Sequence, residues 1–198
     1  MKETWLLKTE LKNIASVRIG YSFRARLEWM NPGGIGVIQM KDLTDENRVD
    51  FSGLIRVGLD RKLKEHHVVR PGDLVVRSRG LVFTSAIVAE CPASAVVAAP
   101  LFLIRPEEKV VLPEYLHWFI HQPPAQVFLS GVSKGTSQKM IDKEALENLQ
   151  VAMPSLDRQR AITELAALAE KERRLIDRIA RRRGQYISAT MMRFAEGE

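Results

Sequence analysis

The chain runs to 198 residues, 45% hydrophobic and 27% charged, with a formal net charge of +6 and a pI near 9.6. That is room for one well-cored domain with an arm, or for two small domains, of a soluble globular kind. The longest apolar run, residues 95–104, is broken by Pro100 and too short to cross a bilayer, the first five residues lack the apolar core of a secretory signal, and the lone Cys91 excludes an intrachain disulfide or a cysteine-built zinc site.

A reducing, cytoplasmic setting without membrane contact is the resulting expectation. Residues 11–15 read as a short amphipathic helix leading to a turn at Gly20. In the next segment Ser22, Arg24 and Arg26 alternate with apolar residues, which in a strand puts them on one face. An Asn31-Pro32-Gly33-Gly34 turn follows. Residues 36–40 read as a buried strand, and the polar stretch 41–52 as a loop with an irregular edge. Pro71-Gly72-Asp73 is a strong turn signal with a strand behind it at 74–76. Further β segments, rich in Val, Ile and Ala, fall at 84–89, 95–99 and 101–105.

After Pro113 the hydrophobic period lengthens. Tyr115, Leu116, Phe119 and Ile120 share a helix face, and Pro123-Pro124 closes that helix and opens another through Phe128. A polar, glycine-bounded loop spans 131–139. Asp142 caps a short helix to Leu146, residues 149–152 form a last strand, and Pro154-Ser155 marks a boundary.

From Leu156 to Phe194 there is no proline, and the single glycine is Gly184. Ser155 suits the N-cap of this stretch and Asp157 suits its dipole. Ile162, Leu165, Ala169, Ile176, Ile179 and Tyr186 recur at close to the 3.5-residue period of a coiled-coil seam. The helix would be about 58 Å long, more than a small domain needs for its own core, so the stripe is expected to pack on another helix. The expected fold class is α+β: a mixed α/β body over 1–154 and a long coiled-coil helix over 155–198.

Residues 156–198 carry 10 basic and 7 acidic side chains, and the preceding 155 carry 20 and 17. The positive excess is therefore shared evenly, which favours a polyanionic partner without demanding one. Three sets combine cations with small polar groups: Ser22, Arg24 and Arg26; Arg77 and Arg79 around Ser78; and Lys134, Thr136, Ser137, Gln138 and Lys139. Such sets contact phosphates through charge and base edges through Gln, Arg and Ser. Gln39 and Lys41 complete the candidate DNA-contacting set. For any one set a solvated loop is an equal reading. The arginines Arg173, Arg174, Arg178, Arg181, Arg182 and Arg183 read as the wet face of the long helix, with Glu170–Arg174 and Asp177–Arg181 as pairs one turn apart.

Catalytic chemistry is not indicated. His117 and His121 have a spacing that can hold one metal ion, but the glutamate that a metalloprotease needs after the first histidine is replaced by Trp118. They read as the polar edge of a helix, and no metal or cofactor is expected. Gln122-Pro123-Pro124-Ala125 lacks the Asn and the aromatic residue of the amino-methyltransferase motif it faintly resembles. Gly33-Gly34-Ile35-Gly36 follows no strand and precedes no helix, so it reads as a turn. Asp73 with Arg77 and Arg79 does not supply the carboxylates and lysine of a metal-dependent nuclease.

Taken in order, a series of motifs resembles the DNA-specificity (S) subunits of type I restriction–modification systems. They are Leu11-Lys-Asn-Ile-Ala15; Val37-Ile-Gln-Met-Lys-Asp42; Pro71-Gly-Asp-Leu-Val-Val-Arg-Ser-Arg-Gly80; and Pro113-Glu-Tyr-Leu116. Gly135-Thr-Ser-Gln-Lys-Met-Ile141, Leu146-Glu-Asn-Leu-Gln-Val-Ala-Met-Pro154 and Gln159-Arg-Ala-Ile162 complete the series. The resemblance implies a target-recognition domain followed by a helix, where full-length members carry two such units in tandem with their helices antiparallel. A single unit corresponds to a half-length form, expected to form a homodimer and so to read a split site. It further implies double-stranded DNA, a modification methyltransferase subunit and a restriction subunit as partners. S-adenosylmethionine and ATP would belong to those partners, and the chain itself would have no catalytic site. Lys12-Asn13 and Arg158-Gln159 depart from the Gly-Asp and Glu-Gln that family members often carry. The competing expectations are a stand-alone nucleic-acid-modifying enzyme and a coiled-coil assembly protein that does not bind DNA.

Overall fold

The computed structural model describes residues 7–23, 34–58, 65–91, 93–135 and 139–197. Arg24, Arg26, Thr136, Ser137 and Gln138, with Asn31, Pro32 and Gly33, lie outside the described residues. The strands in chain order are β1 (Lys8–Glu10), β2 (Ala15–Ile19), β3 (Ile35–Ile38), β4 (Ile55–Val57), β5 (Leu74–Arg77), β6 (Ser85–Ile87), β7 (Ala95–Val97), β8 (Leu101–Pro106) and β9 (Gln150–Ala152). The helices are α1 (Pro113–Ile120), α2 (Pro123–Val132), α3 (Lys143–Glu147) and α4 (Leu156–Glu196). Mixed sheets with helices make the fold α+β, as expected.

The largest sheet is antiparallel throughout, in the order β2-β8-β5-β6. Strand β8 lies inside it and is buried along most of its length, which explains a continuous apolar run where a one-sided strand would alternate. A second sheet has the order β4-β3-β7, with β3 antiparallel to β4 and parallel to β7. The third pairs β1 with β9, from Lys8 opposite Ala152 to Glu10 opposite Gln150. Ile38, Val75, Val97, Leu101 and Leu103 share one apolar core. Gly20 sits where the chain passes closest to its neighbour: a Cβ there would lie 2.5 Å from the Ala98 carbonyl carbon.

Several local expectations change. The helix read at 11–15 is a 3-10 turn, Leu11–Asn13, followed at once by β2. Leu11 anchors the turn in the core, while β2 gains five pairings with β8 that outweigh local helix periodicity. The 41–52 loop begins with a second 3-10 turn, Met40–Asp42, closed by a reciprocal cap between Gln39 and Asp42. Helix α2 continues to Val132 and absorbs Gly131, so the polar loop starts later than expected. By contrast, Asp142 caps α3 by accepting from the Ala145 N–H at 2.9 Å.

Two compact units divide the chain, Met1–Gln159 and Arg160–Glu198. In the second, α4 presents Leu165, Ile176, Ile179 and Tyr186 to solvent, at 69%, 58%, 65% and 69% exposure. Ala169 is exposed and Ile162 half-buried. Leu168, Leu175, Ile187 and Phe194 are also exposed and widen the stripe to an arc of about 140° at 100° per residue. Glu170 accepts from Arg173 and Arg174, which hold its carboxyl at about 2. Asp177 pairs at 3.1 Å with Arg173, one turn before it, rather than with the expected Arg181 one turn after it. Among the described residues no helix is long and apolar enough to cross a membrane.

Candidate nucleic-acid interface

Two of the three basic sets meet, although about sixty residues separate them. Arg79 forms an antiparallel bridge with Met140, and Met140 forms another with Lys134. The Gly80 N–H donates to the Lys139 carbonyl at 3.1 Å, and the Ile141 N–H to the Ser78 carbonyl at 2.9 Å. Lys134 and Met140 exchange two backbone hydrogen bonds of 2.9 Å, closing the loop that carries Gly135 at φ +104°. Arg79 and Lys134 are exposed and Lys139 half-exposed. The Lys134 ammonium also meets the Asp142 carboxylate at 2.9 Å, and that contact raises its pKa. The result is a cationic edge built by strand-like pairing.

Arg77 is used differently. Its Nη2 donates to the Leu43 carbonyl at 2.9 Å, while its Nε and the neighbouring Ser78 hydroxyl are buried without partners. The side chain thus ties the end of β5 to the segment that carries Gln39 and Lys41, leaving Arg79 as the exposed cation of its set. Lys41 is exposed beside the Gln39–Asp42 cap. Ser22 is exposed next to Tyr21, whose backbone bridges to Ala98 and whose ring contacts Phe23 and His67. No contact joins Ser22 to the Arg79–Lys139 edge among the described residues.

His117 and His121 are structural partners of β6. The Ser85 N–H donates to His121 Nε2 at 3.4 Å, and the Ser85 hydroxyl lies 2.9 Å from His117 Nδ1. His121 Nδ1 lies 2.8 Å from the His117 carbonyl, which assigns the proton to Nδ1 and the acceptor role to Nε2. Both residues are half-buried. Burial first, and His121 second, lower the His117 pKa to about 4; burial lowers that of His121 as well. An unfolded chain takes up these protons as pH falls through about 6.5, whereas the folded chain resists until about 4 for His117. Stability is therefore complete above about 6.5 and declines through that window, by about 3 kcal/mol for His117 alone. Thermal melts between pH 7 and pH 4.5 should follow this slope. In His117→Gln, which keeps a polar group without a titration, the slope should flatten.

Asp73 joins no catalytic group either. It is 1% exposed, with both carboxylate oxygens bound by Arg105 at 2.8 and 2.7 Å and one also accepting the Arg70 N–H at 2.8 Å. Among the described residues no cluster of three or more His, Cys, Asp or Glu side chains is placed to hold a metal ion.

No protein-family model matches the chain. The specificity subunit of the type I restriction enzyme EcoBI of Escherichia coli is 26% identical over 170 residues, covering 83% of this chain and 35% of the relative. The chain thus spans about a third of the length of that curated relative. Among solved structures, the HsdS subunit from Thermoanaerobacter tengcongensis superposes with a TM-score of 0.58 at 17% identity, over 84% of this chain and 37% of that one. A chain from a study of complex assembly and conformational transition of the type I restriction–modification system gives 0.63 at 18%, over 84% and 38%. The type I S subunit from M. genitalium gives 0.53 at 11%, over 86% and 41%. The order of short motifs, the α+β body and the long final helix thus agree with one another: in sequence and in fold, this chain resembles one portion, a little over a third, of type I restriction–modification specificity subunits.

Proposed function

We propose that this chain is a sequence-reading DNA subunit of a type I restriction–modification system, which pairs through α4 and docks a modification methyltransferase subunit without performing chemistry itself. The observation that carries the reading is the match to the EcoBI specificity subunit across 83% of the chain. The cationic edge of Arg79, Lys134 and Lys139 supports it, since exposed cations on a fixed backbone suit phosphates and base edges. The exposed stripe of α4 supports pairing with a second copy, and two readers related by a two-fold axis read a palindromic, bipartite site. That stripe is wider than the seam of one two-stranded coiled coil, which leaves apolar surface for a methyltransferase helix.

The test is selection of duplexes from a randomised pool by the purified chain, at physiological salt and against mixed-sequence competitor. A bipartite, inverted-repeat preference is expected; no preference at all would return the chain to the class of coiled-coil assembly proteins. Binding of S-adenosylmethionine, or metal-dependent cleavage by the chain alone, would instead make it an enzyme. Replacing Gln138 and Lys139 with alanine should broaden the selected site by about one base pair's discrimination, roughly tenfold. The sedimentation of the dimer should not change. Wild-type selectivity in that variant would remove the 134–140 loop from the reading surface.

A further inference from the structure

Between β5 and β6 the chain leaves the sheet for seven residues, 78–84, and returns, its base closed by the Arg77 N–H donating to the Thr84 carbonyl at 3.0 Å. Both shoulders of this connection are pinned. On one side Gly80, at φ +142°, is held by the Lys139 carbonyl. On the other, the Gln126 amide of α2 grips the backbone of Phe83 in both directions: Oε1 accepts its N–H at 3.1 Å, and Nε2 donates to its carbonyl at 2.9 Å. The same Nε2 reaches the Ile120 carbonyl at 2.6 Å, and Phe83 is fully buried. Between these two pins Leu81 and Val82 lie outside, at 81% and 56% exposure. Two adjacent aliphatic side chains are thus presented to water by a backbone that cannot fold them in.

We propose that Leu81 and Val82 are the apolar part of the DNA-reading surface and bear on base pairs of the bound duplex, with Arg79 and Lys139 on the flanking phosphates. This inference rests on the DNA-binding reading above. A duplex offers negative charge at the groove edges and apolar surface, thymine methyls and base faces, within. An aliphatic tip with cationic shoulders complements that pattern. The local acid that touches this edge, Asp142, is already paired with Lys134. Because the connection is ordered before binding, little freedom is lost on contact.

The full-length chain with Leu81→Ser and Val82→Ser tests the idea, with Leu81→Met and Arg79→Ala as companions. The probes are the duplex that the wild type selects from a randomised pool, and mixed-sequence bulk DNA. The double serine variant should lower the ratio of selected to bulk affinity by about tenfold to a hundredfold, with an unchanged melting temperature and an unchanged salt slope. Leu81→Met should keep the ratio. Arg79→Ala should weaken both affinities and reduce the salt slope by about one. A serine variant with the wild-type ratio overturns the proposal while DNA reading stands. Retention of the ratio with loss of methyltransferase-subunit capture overturns it in favour of a protein-docking tip. A wild type with no sequence preference overturns both this proposal and the reading beneath it.

Discussion

Replacing Ile176 and Ile179 with aspartate is expected to abolish the pairing through α4 proposed above, weakening association by a thousandfold or more. At 58% and 65% exposure, neither side chain is needed to fill a core within one chain. A second helix that covered them would remove four isoleucines from water in a symmetric pair, each worth about 1.5–3 kcal/mol when fully buried. Losing the whole of that gain, about 6–12 kcal/mol, exceeds the roughly 4 kcal/mol that separates micromolar from millimolar association. The introduced carboxylates add desolvation and like-charge repulsion to the same seam. The helix itself should survive, because aspartate costs only a few tenths of a kcal/mol in intrinsic propensity. Sedimentation equilibrium at micromolar concentration reads the result directly. A variant that stayed dimeric would refute the seam, and a wild type that was monomeric at tens of micromolar would refute pairing through α4.

Much of this fold is legible because its signals are local. The Pro71-Gly72-Asp73 turn needs a residue at φ +86°, and glycine supplies it. The helix starts at Pro113 and Pro123 are marked by a residue that fixes φ and has no N–H to satisfy. Other features were invisible for an equally physical reason. Strands β1 and β9 are three residues each and about 140 positions apart, so neither carries enough alternation to announce a partner. Asp73 looked like an incomplete catalytic set beside Arg77 and Arg79, and its real partner, Arg105, lies 32 positions away across the sheet. The candidate interface divides the same way. That Arg79 and the lysine loop carry cations is evident in the sequence, but their junction through Gly80, Lys139 and Met140 is a product of tertiary pairing. The spacing of Arg77 and Arg79 suggested a common role. Only the Leu43 carbonyl, 34 positions from Arg77, reveals that one of them is tied inward.

Gln159 should prove to be one of the costliest polar side chains to remove. It is fully buried in the first turn of α4, with every polar atom of its amide engaged. Its Oε1 accepts the Leu112 N–H at 2.9 Å, while Nε2 donates to the Val110 carbonyl at 3.2 Å and the Pro154 carbonyl at 3.0 Å. Leu112 is the N-cap of α1 and receives no capping help from its own side chain, so one amide secures the beginnings of two helices. Gln159→Leu keeps the volume but leaves one buried N–H and two carbonyls short of a partner, at about 1–3 kcal/mol for each group left unsatisfied. A total near 3 kcal/mol is expected, which for a chain of this size lowers the melting temperature by about 10 °C. Gln159→Ala should cost more, because it adds a cavity to the same unsatisfied groups. Thermal denaturation of the two variants separates the terms: the leucine variant measures the hydrogen bonds, and the difference between them measures packing. If the leucine variant melted like the wild type, the amide would be filling space rather than holding the two helix ends, and Gln159 would lose its role as the clamp between Pro154, Val110 and Leu112.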